Sequence, residues 1–277
     1  DVVLIGESDP RAGDVLEAAY RVTVGPNVPV QRMNWVNAEL TKISVNTFVT
    51  TKISYANMLA ELCEKLPGAD VDVVTAALGK DSRIGPKYLR GALGYGGPCF
   101  PRDNVAWAAL ARSVGAVADV AEATDAINHR QVERIVSLVS RLAAPESAIA
   151  VLGLAYKPDT PVVEQSQGMM IARRLAETSY RVLVCDPIAL ESAAAVLGDL
   201  VVPMGSAEAA VEEADLVVIA NPAREFAALR PENFAGRRRV VIDCWRVLDP
   251  AIADVAEVLQ LGRGPATAAI ATQAAAN

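Results

Sequence analysis

Apolar residues change their spacing partway along this chain. It opens on Val2-Val-Leu-Ile5, a continuous apolar run that reads as a buried strand, and Ala12, Val15, Leu16 and Ala19 then recur at helical spacing within residues 9–20. Between Val36 and Leu66 the apolar positions Val36, Leu40, Ile43, Phe48, Ala56, Leu59 and Cys63 predict one unusually long helix, stopped by Pro67-Gly68. Further helices are expected over 71–78, near 103–114 and over 120–143. After about residue 144 the pattern becomes β-rich. Ala148-Ile-Ala-Val-Leu, Arg181-Val-Leu-Val-Cys, Asp215-Leu-Val-Val-Ile and Arg239-Val-Val-Ile-Asp are short apolar runs, most of them separated by helical segments, which predicts parallel strands. The expected fold class is therefore α/β, an all-helical region over 35–143 followed by a sheet region over 144–262. Residues 263–277 are Ala/Thr-rich and are expected to be a disordered tail. Because a strand at the first residue needs neighbours to pair with, upstream sequence is expected.

Composition narrows the function classes. Of 277 residues, 52% are hydrophobic and 21% charged, as in ordinary globular proteins. The net charge of −7 argues against a nucleic-acid surface. Cysteines 63, 99, 185 and 244 have no paired spacing, so neither a disulfide framework nor a metal site is expected. No apolar run reaches the length of a membrane span, and the cytoplasm is the expected compartment. The one histidine, His129, sits in a charged helical stretch and reads as a surface residue.

Candidate chemistry concentrates at residues 91–103. Gly91-Ala-Leu-Gly-Tyr-Gly-Gly-Pro-Cys-Phe100 is followed by Pro101, Arg102 and Asp103. Its four glycines let backbone approach a ligand and take positive φ. Pro101 suits a first helical turn, so Cys99 is expected just outside a helix N-terminus, where the macrodipole favours an anion such as a thiolate. A continuing helix would put Cys99 and Asp103 on one face, and Lys42 and Asn46 share a face of the long helix. The turn after the first β-rich run, at Gly153, is a place for a phosphate, and the residues alone leave both NAD and a uridine diphosphate open. Asp186-Pro187 reads as a simple turn rather than a ribose-binding acid.

Together with Asn37-Ala-Glu-Leu-Thr-Lys42, Asn46-Thr-Phe48, Gly68-Ala-Asp-Val71, Asp81-Ser-Arg-Ile-Gly85, Gly153-Leu-Ala-Tyr-Lys157 and Asp243-Cys-Trp-Arg246, the cysteine loop resembles the UDP-glucose dehydrogenase family, in the family's order and over nearly the whole chain. Members oxidise the C6 alcohol of a nucleotide sugar to a carboxylate. The resemblance implies a central helical dimerisation region and a Rossmann-like UDP-binding region, with residues 1–34 a remnant of an N-terminal dinucleotide domain. It implies Cys99 as the nucleophile of a thiohemiacetal and then a thioester, Lys42 and Asn46 as oxyanion donors, and Asp103 as the group that handles protons and positions water. Arg83, Tyr88, Arg90, Gly94, Tyr95, Gly96, Gly97, Phe100, Tyr156, Lys157 and Arg246 are the implied substrate-binding residues, Arg83 reaching the neighbouring subunit's substrate. NAD is the implied cofactor, but its glycine fingerprint is not found here and no residue is assigned to it. Glu164 stands where the family often has an arginine that contacts the cofactor, which puts that contact in doubt. The implied partners are a UDP-sugar and a second copy of the chain, joined through the long helix. The Cys-Phe-Pro-Arg-Asp run is more similar to enzymes acting on UDP-glucose than to those acting on N-acetylated sugars. Three alternatives stay open: a non-catalytic chain that binds a nucleotide sugar and dimerises, a dehydrogenase of another nucleotide sugar, and an NAD-binding domain of some other dehydrogenase.

Overall fold

The computed structural model of the chain describes residues 2–266. Strand β1 (Val3–Gly6) and helix α1 (Pro10–Val24) lead to β2 (Val30–Met33), which pairs parallel with β1. Asp9 starts α1 by accepting the Arg11 N–H at 2.9 Å, filling one of the donors a helix N-terminus leaves open. Strand β2 lies outside the expected elements, because Val30-Gln-Arg-Met33 is too short and too polar to stand out by periodicity.

The helical region is built on α2 (Trp35–Cys63), 29 residues started by the Asn34 side chain, with α3 (Val71–Gly79), α4 (Phe100–Ser113) and α5 (Asp119–Leu142) around it. Helix α2 differs from the sequence expectation in which face is buried. Its interior residues are small or polar (Thr47, Thr50, Ser54, Ala56, Asn57, Ala60 and Cys63), whereas Trp35, Val36, Phe48, Tyr55 and Leu62 face outward. Close approach of α4 and α5 requires small side chains on the inner face, and the large apolar residues are left on the outside.

The second half alternates strand and helix: β3 (Ala148–Leu152), α6 (Gln167–Glu177), β4 (Arg181–Cys185), α7 (Leu190–Leu197), β5 (Val202–Pro203), α8 (Ala207–Glu213), β6 (Leu216–Ile219), α9 (Arg224–Ala227), α10 (Pro231–Phe234), β7 (Val240–Asp243) and β8 (Glu257–Gln260). The six strands form one parallel sheet in the order β5-β4-β3-β6-β7-β8. The inner strands are apolar throughout because both faces are covered. One face packs against α6 and the second half of α5 through Val132, Ile135, Val136 and Val139; the other packs against Ala210, Val211, Phe226 and Phe234. Helix α5 thus belongs to both regions and fixes the sheet beside the helices. Strands β5 and β8 went unpredicted: the first has two residues, and the second follows no crossover helix.

The expected tail begins too early. Val71 N–H donates to Gly262 O at 2.9 Å, Gly68 N–H to Pro265 O at 3.0 Å and Gly264 N–H to Ala69 O at 2.9 Å, so the chain through residue 266 is held against the 64–71 turn by paired backbone groups. The remainder of the expected tail lies outside the described residues. Among the described residues, no helix is long and apolar enough to cross a membrane and no cluster of His, Cys, Asp or Glu could hold a metal ion.

Candidate active site

Cys99 is the residue before the first turn of α4, Pro101 lies within that turn, and the Asp103 N–H donates to Cys99 O at 2.9 Å, so the two residues are one helical turn apart. Cys99 is exposed, while Cys63, Cys185 and Cys244 are buried. Burial pushes the Cys185 thiol up to about 11 and that of Cys244 well above the ordinary value, which suits packing rather than nucleophilic attack.

Asp103 joins the helices. Its buried carboxylate pairs with the Lys42 ammonium and accepts from Asn46 Nδ2 at 2.6 Å, both on Oδ2. The one-face reading of Lys42 and Asn46 therefore describes a contact: one turn of α2 offers an ammonium and an amide to one oxygen atom. Burial pushes the Asp103 carboxyl up, but the hydrogen bonds from Lys42 and Asn46 and the charges of Lys42 and Arg102 outweigh it, leaving the carboxyl below its usual value. The Lys42 side chain remains 53% exposed and can reach an incoming oxygen.

Next to Phe100 lies a cleft of about 270 Å³, walled by Ile53, Tyr88, Arg90, Leu93, Gly94, Tyr95, Gly96, Phe100, Tyr156, Lys157 and Trp245. Larger hollows along α5 and α6 contain none of the candidate residues. Eight of the eleven implied substrate residues line this cleft: Tyr88, Arg90, Gly94, Tyr95, Gly96, Phe100, Tyr156 and Lys157. Phe100 meets Tyr88 and Tyr95 edge to face, each at 6.3 Å between ring centroids. Desolvation, then the Asp125 carboxylate it donates to at 3.0 Å, pushes the Tyr95 hydroxyl far up and keeps it protonated. Arg90 and Lys157 are the cleft's two cations, Lys157 lying 5.5 Å from the Tyr156 ring centroid.

The other three stand elsewhere. Gly97 lies just outside the wall, with φ +81° and its hydrogen side against the Tyr156 ring, where a Cβ would come within 2.6 Å. Its small size serves the packing of the cysteine loop against the sheet region. Arg83 is exposed and paired with Asp81 at 2.6 Å, away from the cleft in this single chain. Arg246 turns inward with its side chain 1% exposed, forming two hydrogen bonds to the Asp72 carboxylate (2.7 and 2.8 Å) and one to Leu261 O (2.8 Å). That geometry makes it a tie between α3 and the sheet rather than a cleft residue. Trp245, its neighbour, takes the wall position: the Arg90 guanidinium lies 5.5 Å over its ring and donates to its carbonyl at 2.6 Å, and its Nε1 donates to Ala220 O at 3.0 Å. Sequence reasoning passed over Trp245, Ile53 and Leu93. The Asp243-Cys-Trp-Arg246 motif did contain the signal, but which of two adjacent side chains faces the cleft is decided by the turn, where Arg246 has φ +56°.

The turn after β3 does not offer its donors to a phosphate. Leu154 and Ala155 N–H donate to Asp186 Oδ2 at 2.7 and 3.0 Å, Ile188 and Ala189 N–H to Oδ1 at 3.0 and 2.7 Å, and Gly153 N–H to Cys185 O at 2.8 Å. Asp186 is more than the expected simple turn. It is a buried carboxylate that saturates the crevice where a dinucleotide would lie in a sheet of this strand order. His129 is exposed, with Nδ1 2.9 Å from Asp125 O.

Comparison with known proteins agrees with this geometry. The model of the UDP-glucose/GDP-mannose dehydrogenase family central domain matches residues 36–130, and that of the family's UDP binding domain matches residues 150–250. UDP-glucose 6-dehydrogenase AglM of Haloferax volcanii is 35% identical over 251 residues, covering 90% of this chain and 58% of that protein. UDP-glucose 6-dehydrogenase YwqF of Bacillus subtilis is 32% identical over 275 residues, covering 95% and 60%. The solved structure of a UDP-glucose dehydrogenase from Pyrobaculum islandicum superposes with a TM-score of 0.86 at 34% identity, over 95% of this chain and 59% of that one. The chain thus spans less than two thirds of each of these relatives. With both family models matched in order along it, the chain belongs to the UDP-glucose/GDP-mannose dehydrogenase family.

Proposed function

We propose that this chain carries the substrate site and the nucleophile of a nucleotide-sugar 6-dehydrogenase, which oxidises the C6 alcohol of a UDP-sugar, foremost UDP-glucose, to the carboxylate with NAD as oxidant. The observation that carries the reading is convergence. An exposed thiol at the start of α4 stands one turn from a carboxylate that holds an ammonium and an amide, beside an aromatic cleft with two cations.

The roles follow from the chemistry. The thiolate of Cys99 adds to the aldehyde carbon at C6, and the developing alkoxide draws hydrogen bonds from Lys42 and Asn46; one such donor is worth on the order of 10²–10³ in rate. Asp103, held as the anion, orients Lys42 and accepts a proton from the water that hydrolyses the thioester. Arg90 and Lys157 suit a diphosphate, and the aromatic walls suit the sugar and base. The two oxidations, alcohol to aldehyde and thiohemiacetal to thioester, would each pass a hydride to NAD, but the donors of the Gly153 turn are consumed by Asp186 and Cys185. That turn therefore does not fit a dinucleotide, and the chemistry derived from this chain is confined to Cys99, Lys42, Asn46 and Asp103.

The same reading divides the chain at 34/35 and 143/144. It also proposes a dimer through the outward face of α2, supported by exposed Trp35, Val36, Phe48, Tyr55 and Leu62, with Arg83 offered to the partner's substrate. Four free thiols fit the cytoplasm. Calorimetric titration of the purified chain with UDP-glucose, UDP-N-acetylglucosamine, GDP-mannose and NADH tests the substrate. UDP-glucose is expected to bind most tightly, and preference for NADH or GDP-mannose overturns the assignment.

A further inference from the structure

The cysteine loop has no strand or helix partner between residues 90 and 98, yet its backbone is not left unpaired. Asn57, fully buried on α2, accepts the Ala92 N–H at 2.8 Å and donates to Leu93 O at 3.0 Å. Asn128, buried on α5, accepts the Tyr95 N–H at 2.7 Å and donates to Tyr95 O at 3.1 Å. Each carboxamide binds one N–H and one C=O of the loop, the pair of contacts a neighbouring strand would supply. The Glu164 carbonyl takes the Gly97 N–H at 2.9 Å, and a Cβ on Gly94 would lie 2.1 Å from Asn128 Oδ1, so the loop sits directly on its pegs. Asn57 is eleven residues beyond Asn46 on the same helix, which corresponds to about 20° of rotation and about 16 Å of rise. One rigid helix therefore carries Lys42, Asn46 and the peg for the loop that bears Cys99.

We propose that Asn57 and Asn128 are positioning residues: through the backbone of residues 92–95 they set where the Cys99 thiol stands relative to the cleft and to Lys42, Asn46 and Asp103. The role rests on the reading of Cys99 as the nucleophile for a nucleotide sugar. A purely structural role would lower stability alone, whereas positioning separates binding from reach of the thiol.

Iodoacetamide alkylation of Cys99 in the purified chain tests this, because the other three thiols are buried. The rate is measured with and without saturating UDP-glucose, well below the unfolding temperature, for wild type and for Asn57→Ala, Asn57→Ser, Asn128→Ala and Asn128→Ser, with ligand affinity measured in parallel. UDP-glucose is expected to slow alkylation of the wild type roughly tenfold or more, since a bound ligand shields the sulfur it must react with. Leu93, Gly94 and Tyr95 of the pegged segment line the cleft together with Arg90, Tyr156, Lys157 and Trp245 outside it. The variants are therefore expected to bind UDP-glucose more weakly and, at a ligand concentration that saturates each variant, to lose most of the protection. The serine variants, which keep one polar partner, decide the matter if an alanine variant does not fold. Folded variants protected as well as the wild type overturn the positioning role alone. A wild type that does not bind UDP-glucose overturns the functional reading and the positioning role with it.

Discussion

Removing the Asp72 carboxylate tests whether Arg246 serves the fold. The Arg246 side chain is 1% exposed and bonds Asp72 through two nitrogens at 2.7 and 2.8 Å, whereas the Asp72 side chain is 44% exposed. Stripping one partner from a fully buried pair costs about 3–5 kcal/mol, because the other charge is left without compensation; an exposed pair is worth about 0–1 kcal/mol. Solvent reaching Asp72 places this pair between those limits, and Arg246 keeps its bond to Leu261 O at 2.8 Å. Asp72→Ala is therefore expected to cost about 2 kcal/mol, or roughly 4–8 °C in Tm for a chain of this size. Arg246→Met removes the buried charge itself and leaves Asp72 free to hydrate, so it is expected to cost about half as much. The asymmetry is the diagnostic. The hydrogen bond from Arg246 holds the Asp72 carboxyl below its usual value despite burial. Its stabilisation is thus complete above the unfolded pKa of about 3.9 and is lost as pH falls through the lower folded value, so the gap between wild type and Asp72→Ala narrows below about pH 4. Urea and thermal unfolding of both single variants and the double variant, at pH 7 and pH 3.5, measure all of this. An Arg246→Met variant less stable than Asp72→Ala, or an Asp72→Ala variant as stable as wild type, refutes the reasoning.

Three further outcomes are expected. In an assay of carboxylate formation from UDP-glucose and NAD, run with this chain joined to a dinucleotide-binding domain, Lys42→Met lowers kcat by about 10²–10³ through loss of an oxyanion donor, and Cys99→Ala leaves no net carboxylate; unchanged turnover in either contradicts the assigned role. Gly97→Ala forces a side chain to φ +81° and a Cβ to within 2.6 Å of the Tyr156 ring. It is expected to cost about 1–3 kcal/mol in denaturant unfolding, and an unaffected variant would show that the loop can shift. Asp186→Asn replaces one of two acceptor oxygens with an amide donor facing two backbone N–H groups. Stability is expected to fall by about 3 kcal/mol in the same assay without any gain of NADH binding; tighter NADH binding would mean that Asp186 holds closed a real dinucleotide crevice.

Local pattern and motif in the sequence carried much of this molecule. The apolar runs at 148–152, 181–185, 215–219 and 239–243 announced inner strands, because a strand covered on both faces is apolar regardless of what covers it. The spacing of Lys42 and Asn46, and of Cys99 and Asp103, announced two pairs, because helical periodicity is a property of the chain itself. Tertiary structure decided what those pairs meet. Nothing along the chain says that Oδ2 of Asp103 takes both α2 side chains, that Arg246 turns inward to Asp72 while Trp245 turns out to the cleft, or that Asp186 spends its carboxylate on the Gly153 turn. The outward apolar face of α2 was equally hidden, since periodicity counts apolar positions without knowing which side receives a neighbour. Hydrogen-bond periods and side-chain spacing are local and can be read in order. Which partner a buried charge or amide finds depends on groups far along the chain, 174 residues away for Arg246 and Asp72, and is settled only once the helices and the sheet have packed.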